Sequence, residues 1–153
     1  MATSSGTRRR GRQVDEIAVA LPQRASSLLK LFLTRTSVPV SRTEASVLAA
    51  LAERPRRITE LATRERVTQP AITLLVNRLE QRGWAERHAD PADGRVVLVT
   101  LTEQGEDALS RLRAEYRALV HEEMATLPDE DLCTLARAIE ILDGLIGRLG
   151  EHE

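Results

Sequence analysis

The residues able to do covalent chemistry are few and scattered. The one cysteine, Cys133, can form neither an intramolecular disulfide nor a structural zinc cluster. His88, His121 and His152 lie far apart, and His121-Glu122-Glu123 lacks the second histidine of a helical metal site. No glycine-rich phosphate loop and no Ser/His/Asp or Cys/His spacing marks a nucleophile. The cations are organised differently. Residues 1–53 carry eight Lys/Arg against four Asp/Glu, residues 54–95 nine against six, and residues 103–153 five against thirteen. The net charge of −1 therefore hides a basic front and an acidic rear, the distribution of a chain that turns one face to a polyanion. Within the basic part, Arg8, Arg9, Arg10 and Arg12 form a cluster, and Asp93-Gly94-Arg95 sets an arginine at a turn.

The elements that must position these charges follow from periodicity. With 153 residues, 42% of them hydrophobic, the chain is long enough for one or two small subdomains. Twenty-two Leu and nineteen Ala against three aromatics favour packed helices. Val14, Ile17, Ala18, Leu21, Ala25, Leu28, Leu29 and Phe32 recur at helical steps, with Pro22 expected to kink that helix or shift its start. Ser41-Arg42-Thr43-Glu44 has the form of a capping box and predicts a helix over 43–53. A short helix near Ile58–Ala62, capped by Thr59, follows Pro55. After a break at Arg66-Val67, Thr68 caps a helix whose Ile72, Leu75, Val76 and Leu79 form an apolar stripe and whose C-cap is Gly83. That pair reads as a helix-turn-helix.

Trp84–His88 and Val96–Leu101 are β-prone, and the turn residues 89–95 between them complete a hairpin with a basic tip. A hairpin directly behind a helix-turn-helix is the layout of a winged helix. Helical period returns from Thr102, and Pro128-Asp129-Glu130-Asp131 opens a last helix. In that helix Leu132, Leu135, Ile139, Leu142, Ile146 and Leu149 repeat at steps of three and four, a seam that wants a partner helix. The expected fold class is mainly α with a small β-hairpin wing. The expected division is a basic flexible arm (1–12), an N-terminal dimerisation helix and linker (13–40), a winged helix-turn-helix domain (41–102) and C-terminal dimerisation helices (103–153). No run approaches the ~20 apolar residues of a membrane span, and a cytoplasmic protein is expected.

The chain resembles the multiple-antibiotic-resistance-regulator (MarR) family of bacterial winged-helix repressors. Residues 93–102, Asp-Gly-Arg-Val-Val-Leu-Val-Thr-Leu-Thr, fit the family wing pattern D-x-R-x-x-x-V-x-L-T at every specified position. Leu79-Glu80-x-x-Gly83, Arg87, Pro91 and Gly105 add supporting matches. The resemblance implies a ligand-responsive homodimer, a small aromatic or phenolic ligand, and a pseudo-palindromic DNA operator. It places helix 68–82 in the major groove and the wing 89–95 in the minor groove. Helical geometry sets Pro70, Leu74 and Asn77 opposite the apolar stripe, with Ala71, Thr73 and Arg78 on the flanks and Thr68 and Gln69 at the helix start.

Asn77 is expected to pair with adenine, Thr73 to reach a base or phosphate, Leu74 or Ala71 to touch a thymine methyl, and Arg78 to hold phosphate. Arg95 is expected in the minor groove, its guanidinium braced by the Asp93 carboxylate. Two positions depart from the family pattern: Leu74 stands where many members have Arg, and Glu65-Arg66 where Leu-Gly is frequent. The first shifts weight from base readout to the wing and DNA shape. Cofactors and metals are not expected. The rival readings are a winged-helix adaptor that binds protein rather than DNA, and a small helical enzyme with a hidden site.

Overall fold

The computed structural model describes the backbone of residues 3–150 and side chains from Arg8 onward. Helix α1 spans Thr3–Arg35 without interruption, with Pro22 inside it. The expected flexible arm is therefore helical from Thr3, while its first two residues lie outside the described residues. Helix α2, Arg42–Glu53, begins at the anticipated capping box. Glu44 N–H donates to Ser41 Oγ at 3.2 Å, and Ser41 N–H donates to Glu44 Oε2 at 2.8 Å.

A two-residue strand β1, Arg56–Arg57, follows Pro55, where no strand was expected. Arg56 is drawn inward by its bond to the Ala50 carbonyl (3.0 Å) and its ion pair with Glu53. Helix α3, Ile58–Glu65, starts two residues earlier than a Thr59 cap requires. Its N-cap is Arg57, with no side-chain cap bond, and the Thr59 carbonyl instead accepts from Thr63 Oγ1. Arg66 ends α3 in the left-handed region, φ 54°, which an L-residue other than Asn or Asp adopts at a cost of ~1–2 kcal/mol. That conformation turns the chain sharply enough for helix α4, Gln69–Gln81, to start three residues later.

Helix α4 has Thr68 at its N-cap and Pro70 in its first turn. All four stripe residues, Ile72, Leu75, Val76 and Leu79, are buried. Its end is a Schellman motif: Gly83, at φ +71°, donates to the Glu80 carbonyl (2.8 Å) and Trp84 to that of Leu79 (2.9 Å). Strands β2, Ala85–Ala89, and β3, Val97–Leu101, pair antiparallel, and β1 pairs with the other edge of β3, giving the order β1-β3-β2. Trp84 and Val96 thus fall outside the strands. Thr102 caps helix α5, Glu103–Met124: its hydroxyl donates to the Gly83 carbonyl (2.5 Å) and accepts from Gly105 N–H (3.1 Å).

The core gathers Val47, Leu48 and Leu51 of α2, Leu61 of α3, the α4 stripe, Val99 of β3 and Leu109 of α5. Side chains of this size contribute ~1.5–3 kcal/mol each on full burial. Two compact units result, one ending at Arg113 and one from Ala114. The first takes in the early part of α5, where Gly105, Ala108, Leu109 and Leu112 are buried. The second holds helix α6, Asp129–Gly150, which starts directly after Pro128 and has no buried residue. Its seam residues Leu135, Ile139, Ile146 and Leu149 are exposed, as are Val14, Ile17 and Leu28 of α1. Among the described residues no helix is long and apolar enough to cross a membrane.

Candidate nucleic-acid interface

Burying one stripe of α4 fixes what the opposite face presents. Gln69, Pro70, Ala71, Leu74 and Arg78 are exposed, as is Thr68 at the N-cap. Leu74 is 61% exposed, so a hydrophobic residue stands in solvent at the centre of this face. Thr73 is half-buried and its hydroxyl donates to the Gln69 carbonyl at 2.8 Å, which leaves the oxygen lone pairs to accept. The N-terminal turn, around Gln69, Pro70, Thr73 and Leu74, lines a shallow apolar depression.

Asn77 has a partner within the protein. Its Oδ1 accepts from Arg87 Nη2 at 2.8 Å, and the same guanidinium pairs with Glu80. Arg87, on β2, is thereby clasped by two residues of α4, fastening the wing to that helix. The bond from Arg87 occupies one lone pair of the Asn77 oxygen, so the adenine pairing expected of Asn77, which needs an amide that accepts and donates at the base edge, would draw on the second lone pair and the amide N–H groups.

Arg78 is exposed but tethered: its Nε donates to Glu44 Oε1 at 3.3 Å. Arg82, one turn further on, lies 3.9 Å from the same oxygen, donates to the Pro39 carbonyl at 2.7 Å and stacks over Trp84 at 5.0 Å from the ring centroid. Burial alone would raise the Glu44 carboxyl. The hydrogen bonds from Ser41, the Arg82 charge and the bond from Arg78 together outweigh it and hold the group below its usual value. Glu44 and Arg82 were missed as parts of this face, although the spacing of Arg78 and Arg82, one helical turn apart, was a visible signal.

The wing tip is built by short-range bonds. Asp90 N–H donates to the Val96 carbonyl (2.8 Å), and Asp90 Oδ1 accepts from Ala92 N–H (2.9 Å). Arg57 of β1 reaches Asp90 Oδ2 at 3.8 Å. Asp93 and Arg95 are brought together, but not through the guanidinium: Asp93 Oδ1 accepts from the backbone N–H of Arg95 at 3.1 Å. Among the described residues the Arg95 side chain is exposed and has no carboxylate partner. The expected brace is corrected accordingly. An aspartate bonds the amide two residues on at little entropic cost, whereas pinning a long arginine fork costs rotamer freedom. Asp93 therefore sets the shape of the tip and leaves the charge projecting.

A further basic cleft lies between α2 and α3, lined by Arg42, Thr43, Ser46, Arg64, Glu65 and Arg66. Among the described residues no group of three or more His, Cys, Asp or Glu side chains could hold a metal ion. Cys133 is exposed on α6.

A helix with one free face, a hairpin with a projecting arginine, and cations around both define a winged helix-turn-helix DNA-binding regulator. Residues 38–96 match the model of the MarR family. An uncharacterized HTH-type transcriptional regulator of Mycobacterium bovis is 33% identical over 111 residues, which cover 72% of this chain and 78% of the relative. The HTH-type transcriptional repressor MdtR of Bacillus subtilis is 29% identical over 80 residues, 52% of each chain. The crystal structure of wild-type MarR (apo form) from E. coli superposes with a TM-score of 0.64 at 25% identity, covering 86% of this chain and 95% of that one. The chain belongs to the MarR family and is a DNA-binding transcriptional regulator.

Proposed function

We propose that the protein is a homodimeric repressor that binds a pseudo-palindromic operator and is released from it by a small aromatic or phenolic ligand. Helix α4 enters the major groove through Thr68, Gln69, Pro70, Ala71, Thr73, Leu74, Asn77 and Arg78. The wing, shaped by Asp93, carries Arg95 into the adjacent minor groove. The observation that carries this reading is the exposed face of α4 standing beside a wing fastened to it by Arg87. Exposed apolar residues on α1 and α6 supply faces that a second copy would cover. The repressor sense draws on the Bacillus subtilis relative, and the ligand class on the family resemblance. Such a protein works in the cytoplasm, at the nucleoid when bound to DNA.

Release follows as a population shift: a ligand that prefers dimers with mismatched helix spacing weakens DNA binding by its differential affinity for that state. The test is fluorescence anisotropy on duplex from upstream of the protein's own gene, against scrambled duplex, over a salt series. Salt-dependent binding with a sequence preference is expected. Binding without preference even at low salt would overturn the operator reading and favour an adaptor that docks on protein.

A further inference from the structure

Among the described residues Glu44 is the one charged side chain in the buried set, at 4% exposure. Its carboxylate completes the α2 capping box and also touches two arginines of the next-but-one helix. The two differ in how far they are committed. Arg82 is used up by the Pro39 carbonyl and by the Trp84 ring. Arg78 is held only by Nε; its side chain is 55% exposed, and among the described residues Nη1 and Nη2 meet no protein acceptor.

Resting on the DNA-binding reading above, we propose that Glu44 is a positioning residue for DNA: it fixes Arg78 by Nε so that both terminal amino groups are presented to a backbone phosphate. Arginine engages phosphate through a planar fork, and a fork already held loses less rotamer freedom when it binds. Ser41 N–H holds the carboxylate in turn, so the arrangement is a relay from the α2 cap to the outer face of α4.

The sign of one substitution separates this from ordinary electrostatics. Glu44→Gln removes a negative charge from a basic face, which by field alone tightens DNA binding. If Glu44 positions Arg78, the same change weakens it. Phosphate binding is independent of sequence, so a mixed-sequence duplex of about 30 base pairs serves as the probe. In anisotropy titrations across NaCl concentrations, Glu44→Gln is expected to bind about 3- to 5-fold more weakly, with the log–log salt slope shallower by about 0.9 for each phosphate no longer engaged. Arg78→Ala is expected to give the same change of slope, and Glu44→Gln added to it no further weakening. Ser41→Ala, which leaves the carboxylate beside Arg78, keeps the slope.

Because Arg78 is exposed, Arg78→Lys tests the same idea without risk to the core: one ammonium cannot both sit on Glu44 and span a phosphate, so binding falls although the charge is kept. Tighter or unchanged binding by a folded Glu44→Gln protein, an undiminished loss in the Arg78→Ala background, or wild-type binding by Arg78→Lys would overturn the proposal. Failure of the wild type to bind duplex at low salt would overturn the DNA reading itself, and this with it.

Discussion

Gly105→Ala sets two physical effects against each other at the junction that carries the wing. By helix propensity, alanine in place of a helical glycine stabilises by up to ~1 kcal/mol. Gly105 lies in the first turn of α5, and a Cβ built on it falls 2.1 Å from the Trp84 carbonyl oxygen, 2.7 Å from Leu101 Cδ1 and 3.0 Å from the Trp84 carbonyl carbon. Ordinary carbon–oxygen contact begins near ~3.3 Å, so the shortfall exceeds ~1 Å and is against backbone. The oxygen cannot step aside freely, since it accepts the Thr102 N–H at 3.2 Å. Relief requires moving the start of α5 off the sheet, which loosens Ala108, Leu109 and Leu112 on the same helix. Overpacking of this kind costs typically 1–3 kcal/mol, and a backbone clash belongs at about 3.

For a chain of this length that cost lowers Tm by about 6–12 °C, at ~2–4 °C per kcal/mol. Thermal melting followed by circular dichroism at a fixed protein concentration reads it; fixed concentration matters because association shifts Tm. Gly94→Ala at the wing tip is the control, since a Cβ there meets nothing within 4 Å, and it is expected to stay within ~0.5 kcal/mol of the wild type. A Gly105→Ala protein melting within about 2 °C of the wild type, or above it, would refute the packing argument.

Arg95→Ala is expected to weaken binding to preferred duplex by ~1–3 kcal/mol while leaving the melting curve in place; unchanged affinity by anisotropy would remove the wing from the interface. Leu74→Arg adds a cation to the exposed face of α4 without touching the core, and should tighten duplex binding and steepen the salt slope by about 0.9. An unchanged slope would mean that this face does not meet DNA. The depressed Glu44 carboxyl contributes stability that is complete above its ordinary value of 4.5 and is lost as pH falls through its lower native value. Urea unfolding should therefore show the gap between wild type and Glu44→Gln closing as pH falls from 4.5 through that lower value; a gap independent of pH would contradict it.

The parts of the fold legible in the sequence are those decided locally. The α4 stripe, the Ser41–Glu44 box, the Gly83 stop and the Asp90–Arg95 turn each depend on residues within a few positions, and each stands where its spacing placed it. Strand β1 was invisible because two residues carry no period, and it exists only because β3 offers a free edge. The α3 cap went to Arg57 for the same reason: pairing of Arg57 with Leu98 fixes extended backbone there before Thr59 can cap. In the interface, helical geometry identified the outward residues of α4. It could not say how long polar side chains choose among partners, which is why Asn77 turned to Arg87 and Arg78 to Glu44. Those choices are made across the fold.

The small strand β1 also bears on the order in which the molecule assembles. Strands β2 and β3 are joined by a short turn and can zip from it, whereas the Arg56–Val99 pairing closes a loop of about forty residues and is entropically dearer to form early. That loop contains α3, α4 and the whole wing. The pairing therefore forms stably only once those elements are packed, and it then acts as a latch on all of them. Its consequence is cooperativity: amides of β3 should exchange with solvent only through global opening, while the wing tip beyond Asp90 exchanges locally. The helices and sheet enclosed by that loop should therefore be gained and lost as one unit, with the wing tip alone opening by itself.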